Sequence, residues 1–237
     1  MLEILLIQYD ILNYYNMTYS ILARDPKTGT IGGVATTGSY CVGGWVLRGD
    51  VKIGMSASQG ASASTILGDQ MLAQMNVGEK PDAIIQAVQQ KDQGLGYRQI
   101  SMLSIEGQTA VYSGKNNESI IDDFHKDNFV ASGNMLGGDQ VISSIKDYYQ
   151  KADTTIPLAE RLLECLKQGA QAGGDKRGLL SAAMLILHPD QAPLSLRIDH
   201  HEDPITQLDL LYQKVTSGDY YEWTKTVPTR NNPYRYK

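Results

Sequence analysis

The chain has 237 residues, enough for one large domain with its own core. Charged residues make up 20% and hydrophobic ones 42%, the balance of an ordinary globular protein rather than a disordered chain. The net charge is −5, and the basic residues are scattered instead of clustered, which argues against a nucleic-acid groove.

The opening segment, Met1–Asn16, reads MLEILLIQYDILNYYN. Its apolar run is broken by Glu3 and Asp10 and falls short of the roughly 20 apolar residues of a membrane span. It has neither the basic start nor the small-residue cleavage site of a secretory signal. Residues 1–16 are therefore expected to be a mis-called start or a removable extension. A domain over 17–217 and a C-terminal tail over 218–237 are expected to follow. Cys41 and Cys165 lie far apart and read as free thiols in a reducing compartment, so a cytoplasmic location is expected.

Thr18–Arg24 alternates as a strand, and Asp25-Pro26-Lys27-Thr28-Gly29 supplies a turn into a second strand, Thr30–Thr36. Gly38–Gly44 reads as a loop, with strands expected at Trp45–Leu47 and Val51–Ala57. Ile66, Leu67, Met71, Leu72 and Met75 keep helical spacing over Thr65–Met75. Pro81 opens a second helix through Ile84, Ile85 and Val88. Gln99–Ile105 and Gln108–Tyr112 form a hairpin around Glu106-Gly107, and Phe129–Ser132 is a short strand. Helices are predicted at Asp139–Tyr149 and Leu158–Gln171, a hairpin at Ser181–Leu187 and Leu194–Ile198, and a helix at Pro204–Val215. The aromatic, polar tail from Gly218 is expected to wrap the surface or a partner. Hairpins alternating with paired helices predict an α+β fold, with antiparallel sheets stacked inside and helices outside.

The chemistry centres on Met17-Thr18. If Met17 is the start and is trimmed, Thr18 carries both a hydroxyl nucleophile and an α-amine, whose ordinary pKa of about 7.7–8.0 suits a general base. There is no phosphate loop, no dinucleotide fingerprint and no Gly-x-Ser-x-Gly elbow. His200-His201-Glu202 reads as a polar strand end rather than a metal site, and neither a metal nor a cofactor is expected. Ser56-Ala57-Ser58-Gln59-Gly60 and Gly133-Asn134 end apolar strands with polar groups. Ser58, Gln59 and Asn134 are thus candidates for holding an oxyanion. In Gly173-Gly174-Asp175-Lys176-Arg177-Gly178, Arg177 could fork onto a substrate carboxylate, and Asp175 could meet an amine. Ser39 is a further candidate for substrate binding.

Taken together, Met-Thr-Tyr-Ser-Ile-Leu-Ala-Arg-Asp-Pro-x-Thr-Gly from Met17, then Gly33-Val34-Ala35, Ser58-Gln59, Tyr97-Arg98-Gln99, Ser132-Gly133-Asn134-Met135-Leu136, Ala172–Gly178 with Ser181-Ala182-Ala183, Leu196-Arg197-Ile198-Asp199 and Asp203-Pro204-Ile205 resemble the family called domain of unknown function 1028. The resemblance runs from Met17 to about Val215. It implies a four-layer αββα sandwich of the N-terminal nucleophile (Ntn) hydrolase type, akin to the proteasome β-subunit. It also implies Thr18 as the nucleophile of an amide-bond hydrolase, with a chain start matching Met17. By the same analogy the partners are a small-molecule or peptide-like substrate and further copies of the chain in a homo-oligomer, not nucleic acid or a membrane. The chain departs from the pattern where many members carry Ser-His and it has Gly38-Ser39-Tyr40. Arg24, Arg48 and Arg177 are the candidates for the cation that the proteasome keeps near its threonine. The rival reading is a non-catalytic binding or assembly protein on the same fold.

Overall fold

A computed structural model describes residues 18–117, 120–174 and 178–236. The opening segment Met1–Asn16, Met17, and the candidates Asp175 and Arg177 lie outside the described residues. Ten strands and seven helices follow one another along the described chain. They are β1 Thr18–Arg24, β2 Ile31–Thr37, α1 Val42–Trp45, β3 Leu47–Asp50, β4 Gly54–Gln59, α2 Thr65–Asn76, α3 Pro81–Lys91, β5 Gln99–Ser104 and β6 Thr109–Ser113. Then come β7 Asp122–Lys126, β8 Phe129–Asn134, α4 Val141–Lys151, α5 Leu158–Gln171, β9 Ser181–Leu187, β10 Leu194–Ile198, α6 Pro204–Val215 and α7 Gly218–Thr224. All strand pairs are antiparallel, in a six-stranded sheet ordered β10-β9-β2-β1-β8-β7 and a four-stranded sheet ordered β3-β4-β5-β6. The mixed α and β class and the antiparallel pairing are as predicted.

Strand alternation sorts the side chains into three apolar clusters. Tyr19, Ile21 and Ala23 of β1 pack with Phe129 and Ala131 of β8 against Ile142 and Ile145 of α4, Leu162 and Leu166 of α5, and Leu208 of α6. On the other face, Leu22, Ile31 and Val130 meet Met55, Ala57 and Leu103 of the four-stranded sheet. Ile100 and Met102, on the far side of β5, meet Leu67 and Met71 of α2 and Ile84 and Val88 of α3. Each fully buried Leu, Ile or Phe among these stabilises the fold by about 1.5–3 kcal/mol.

Two predicted strands were displaced. Trp45–Leu47 is not a strand: Cys41 adopts a left-handed conformation (φ 61°) and Val42–Trp45 forms a helical turn, with strand β3 starting at Leu47. A Cβ on Gly43 would approach both Ala183 Cβ and Arg197 Cγ to 2.8 Å, so only glycine lets this turn press onto β9 and β10. Val51–Ala57 likewise begins too early. The Asp50 carboxylate accepts from Lys52 N at 2.8 Å, making a turn before β4 opens at Gly54. Strand β7 was missed altogether, because Asp122-Asp123-Phe124-His125-Lys126 is a charged edge strand with one apolar residue. In the tail, α7 carries the exposed Tyr220 and Trp223, and Asn231 bonds both Pro189 O and the Asp190 carboxylate.

Candidate functional site

Thr18 opens β1, a central strand, where it pairs with Thr37 of β2 on one side and Asn134 of β8 on the other. Alternation turns Thr18, Ser20 and Leu22 toward the four-stranded sheet. The layer between the sheets therefore changes character along β1. At the far end it is Leu22, Ile31 and Val130 over Met55 and Leu103. At the Thr18 end it is Thr18, Ser20, Thr37, Ser132 and Asn134 over Gln59, Gln99 and Ser101, all buried. A buried polar layer is costly unless its groups are paired, so its presence at one end of the sheets marks that end.

The pairing is built around two glutamines. Gln59 Nε2 donates to Gln99 Oε1 (2.7 Å), to Ser132 O (3.2 Å) and to Thr18 O (3.3 Å). Gln99 Nε2 donates to Ser113 Oγ (2.8 Å), Gly133 O (3.0 Å) and Asp122 O (3.2 Å). Main-chain carbonyls can only accept, so these contacts fix which end of each amide is nitrogen. Asn134 Nδ2 then donates to Gln99 Oε1 at 3.2 Å. Gln99 thereby links β4, β6, β7 and β8 at a single side chain. Gln59 Oε1, Asn134 Oδ1, Ser20 Oγ and Ser132 Oγ are fully buried in the same layer and accept or donate no hydrogen bond among the described residues.

Thr18 Oγ1 donates to Thr37 Oγ1 at 3.1 Å. Thr18 lies on the floor of a cavity of about 310 Å³, lined also by Thr37, Ser39, Val42, Val46, Gln59 and the Gly60–Ala63 loop. Tyr40 and Trp45 stand at its mouth, each about half exposed (51% and 53%), whereas Thr18 is 7% exposed. The loop is tied down from behind. Asn117 Oδ1 accepts from Ala61 N (2.8 Å), Tyr97 O from Ser62 N (3.0 Å) and Ser58 Oγ from Ser64 N (3.2 Å).

Of the residues predicted from sequence, Thr18, Gln59 and Ser39 line one cavity. Asn134 sits beside Thr18 in the ladder with its amide turned to Gln99. Ser58 points to the opposite face of β4 and holds the loop. Arg24 is at the other end of β1, about 20 Å away along the strand, and donates to Asn128 Oδ1. Arg48 pairs with Asp69 on the helix-covered face of the four-stranded sheet. Neither of these arginines reaches Thr18. Sequence reasoning missed Thr37 and Gln99 as site residues. Gln99 stood inside the Tyr97-Arg98-Gln99 motif, but no local pattern says that a strand glutamine will be buried between sheets. His200 packs edge-on against Tyr40 and His201 accepts from Asp203 N. Among the described residues no group of three His, Cys, Asp or Glu side chains could hold a metal. No described helix is long and apolar enough to cross a membrane.

Known proteins place this arrangement in a family. The chain is similar to a crystal structure of a Silicibacter pomeroyi protein of the DUF1028 family, with 45% identity, a TM-score of 0.88, and coverage of 93% of this chain and 95% of that one. No curated protein matches. The profile of the family of unknown function DUF1028 matches residues 18–208, starting at the threonine on the cavity floor, and the chain belongs to that family.

Proposed function

We propose that this protein is an amidohydrolase of the N-terminal nucleophile type, with Thr18 as the nucleophile once its α-amine is free. The observation that carries the reading is the position of Thr18. It heads a central strand, its hydroxyl is held by Thr37, and it forms the floor of a cavity open to solvent. The three apolar clusters, two outside the sheets and one between them, support an αββα sandwich of the Ntn type.

In this mechanism Thr18 Oγ attacks the amide carbonyl carbon while the Thr18 amine takes the hydroxyl proton. The tetrahedral intermediate collapses with transfer of that proton to the leaving nitrogen, giving an ester on Thr18 and a free amine. Water, deprotonated by the same amine, then hydrolyses the ester. Gln59 Nε2 donates to the Thr18 and Ser132 carbonyls and so holds the main chain of β1 and β8 around the nucleophile, while the Asn134 amide nitrogen is committed to Gln99 Oε1. The Ser39 hydroxyl and the Gly60 N–H of the cavity wall are the candidate donors to the oxyanion. Asp175 and Arg177 keep the substrate-binding roles expected of them from the sequence.

The test is hydrolysis of a panel of acyl p-nitroanilides by the chain prepared with Thr18 as first residue. Thr18→Ala is expected to lose activity by about 10³-fold or more, and Thr18→Ser to retain part of it. Equal turnover by Thr18→Ala would contradict the reading and favour a binding or assembly protein on the same fold.

A further inference from the structure

Resting on the reading of Thr18 as a first residue with a free amine, we infer that Asn134 is a positioning residue: its side-chain oxygen, together with that of Gln59, holds the Thr18 α-amine in the seam between β1 and β8. The register decides where the amine lies. Asp25 N donates to Thr30 O (2.8 Å) at the β1–β2 turn, and Arg24 N donates to Asn128 O (3.0 Å) at the far end of β1–β8. Hydrogen-bonded pairs alternate along an antiparallel ladder. Counted back through the two registers, the odd-numbered residues of β1 turn their main-chain N and O to β2, and the even-numbered ones turn theirs to β8. Thr18 therefore meets Thr37 with its hydroxyl and Asn134 with its main-chain nitrogen and oxygen.

Two side-chain acceptors are left over at that seam. Gln59 Nε2 donates to Thr18 O and to Ser132 O, which point into it from its two sides, so the Gln59 amide lies over the seam itself. Asn134 projects from the position opposite Thr18, and the side chains of a cross-strand pair share a face. Its Nδ2 is on Gln99 Oε1, which leaves Oδ1 as its other end. Gln59 Oε1 and Asn134 Oδ1 are fully buried without a hydrogen-bond partner among the described residues, and a buried acceptor left unpaired is costly. While residue 17 is attached, the Thr18 nitrogen has a single N–H, which the ladder directs to Asn134 O. A free α-ammonium has three donors, one for that carbonyl and two for the orphaned amide oxygens. Holding the amine by its hydrogens orients the lone pair that takes the hydroxyl proton.

The experiment follows the amine itself, not turnover. In the chain beginning at Thr18, carbon-13 threonine labelling reads the ionisation of the amine from the Thr18 Cα shift, for the unsubstituted chain, Asn134→Ala and Asn134→Asp. An acceptor stabilises the charged form, and a carboxylate does so more than an amide. Asn134→Ala is expected to make the ammonium about tenfold more acidic, and Asn134→Asp about tenfold less acidic. Both variants lose the Nδ2 bond to Gln99, so a purely structural role would move them alike. Asp123 of β7, bonded to Ser113 Oγ, and Tyr40 at the cavity mouth also titrate at this end of the sheets, and both are the same in all three chains. Shifts in the same direction, or none, would overturn the inference. If neither variant folds, a crystal structure of the unsubstituted chain beginning at Thr18 decides. An amine nitrogen within about 3.2 Å of Asn134 Oδ1 is expected, and one bonded elsewhere would overturn the inference. Opposed shifts in a chain that hydrolyses no amide would count against Thr18 as nucleophile and leave the positioning standing.

Discussion

Gln59 of the four-stranded sheet donates a hydrogen bond to the main-chain oxygen of Thr18 in the six-stranded sheet, at 3.3 Å. One amide therefore joins the two sheets at the residue proposed to do the chemistry. The same nitrogen reaches Gln99 and Ser132, so the position of Thr18 depends on a buried network more than on its own strand ends.

Gln99 is the centre of that network. Gln99→Ala removes the acceptor for Gln59 Nε2 and Asn134 Nδ2 and the donor to Gly133 O, Asp122 O and Ser113. Each buried group left unpaired costs about 1–3 kcal/mol, and with partial relaxation the variant is expected to lose about 3 kcal/mol in urea unfolding. Gln99→Glu should be at least as damaging, since it sets carboxylate oxygens against main-chain carbonyls. Wild-type stability in either variant would contradict this.

A second buried pair serves the fold alone. Arg161 Nη2 meets the Asp25 carboxylate at 2.7 Å, and both side chains are almost wholly buried. Asp25 also accepts from Lys27 N, and Arg161 donates to Ile156 O. Asp25→Ala leaves the guanidinium buried without its counter-charge, and a loss of about 3–5 kcal/mol is expected. Thermal denaturation should show this as a large drop in Tm, with Asp25→Asn falling between the two.

The two cysteines should differ in reactivity. Burial pushes the Cys165 thiol well above its usual range, with the nearby Glu164 carboxylate adding to the effect, and the residue has no exposed surface. Reaction needs the thiolate and access to it. Iodoacetamide with mass mapping should leave Cys165 unmodified in the native protein and modify it once denaturant is added. Cys41 is partly exposed, so it is the thiol expected to react first. Native modification of Cys165 at the rate of Cys41 would contradict the packing around α5.

Activity should follow the terminal amine. The base is effective only when unprotonated, so turnover by the chain beginning at Thr18 should rise about tenfold per pH unit at low pH. It should level off above an apparent pKa near about 7.7–8.0, shifted by whatever surrounds the amine. A flat profile between about pH 6 and about pH 9 would argue against the amine as base.

Much of this architecture could be read from local pattern. Helices Leu158–Gln171 and Pro204–Val215 match their predicted limits, because apolar spacing agrees with a preceding proline in one and with Asp203 capping and Pro204 in the other. The β1–β2 hairpin follows from Asp25-Pro26 and Gly29. Strand β7 escaped because its pairing with β8 fixes it, not its own polar sequence. The Trp45-Val46-Leu47 run looked like a strand, yet Trp45 closes a helical turn that begins at Val42, where the close-packed Gly43 and the Ser181 hydroxyl, which accepts from Val42 N, fit the turn onto β9. At the site, Met-Thr before a strand singled out Thr18, and the structure places that residue on the cavity floor. Thr37 lies opposite Thr18 in the β1–β2 hairpin, one residue past the predicted strand end, whereas Gln99 acquires its role only when β4, β6, β7 and β8 meet around it, which no window of sequence contains.

The central claim is that Thr18 is a nucleophile activated by its own amine. The most direct measurement exposes two forms of the chain to a small, uncharged β-lactone, one beginning at Thr18 and the other keeping Met17 before it. Intact mass and fragment mapping then locate any ester formed as the ring opens. The account predicts an adduct on Thr18 in the first form and little or none in the second. No adduct on Thr18 in the first form, or equal labelling of both, would contradict it.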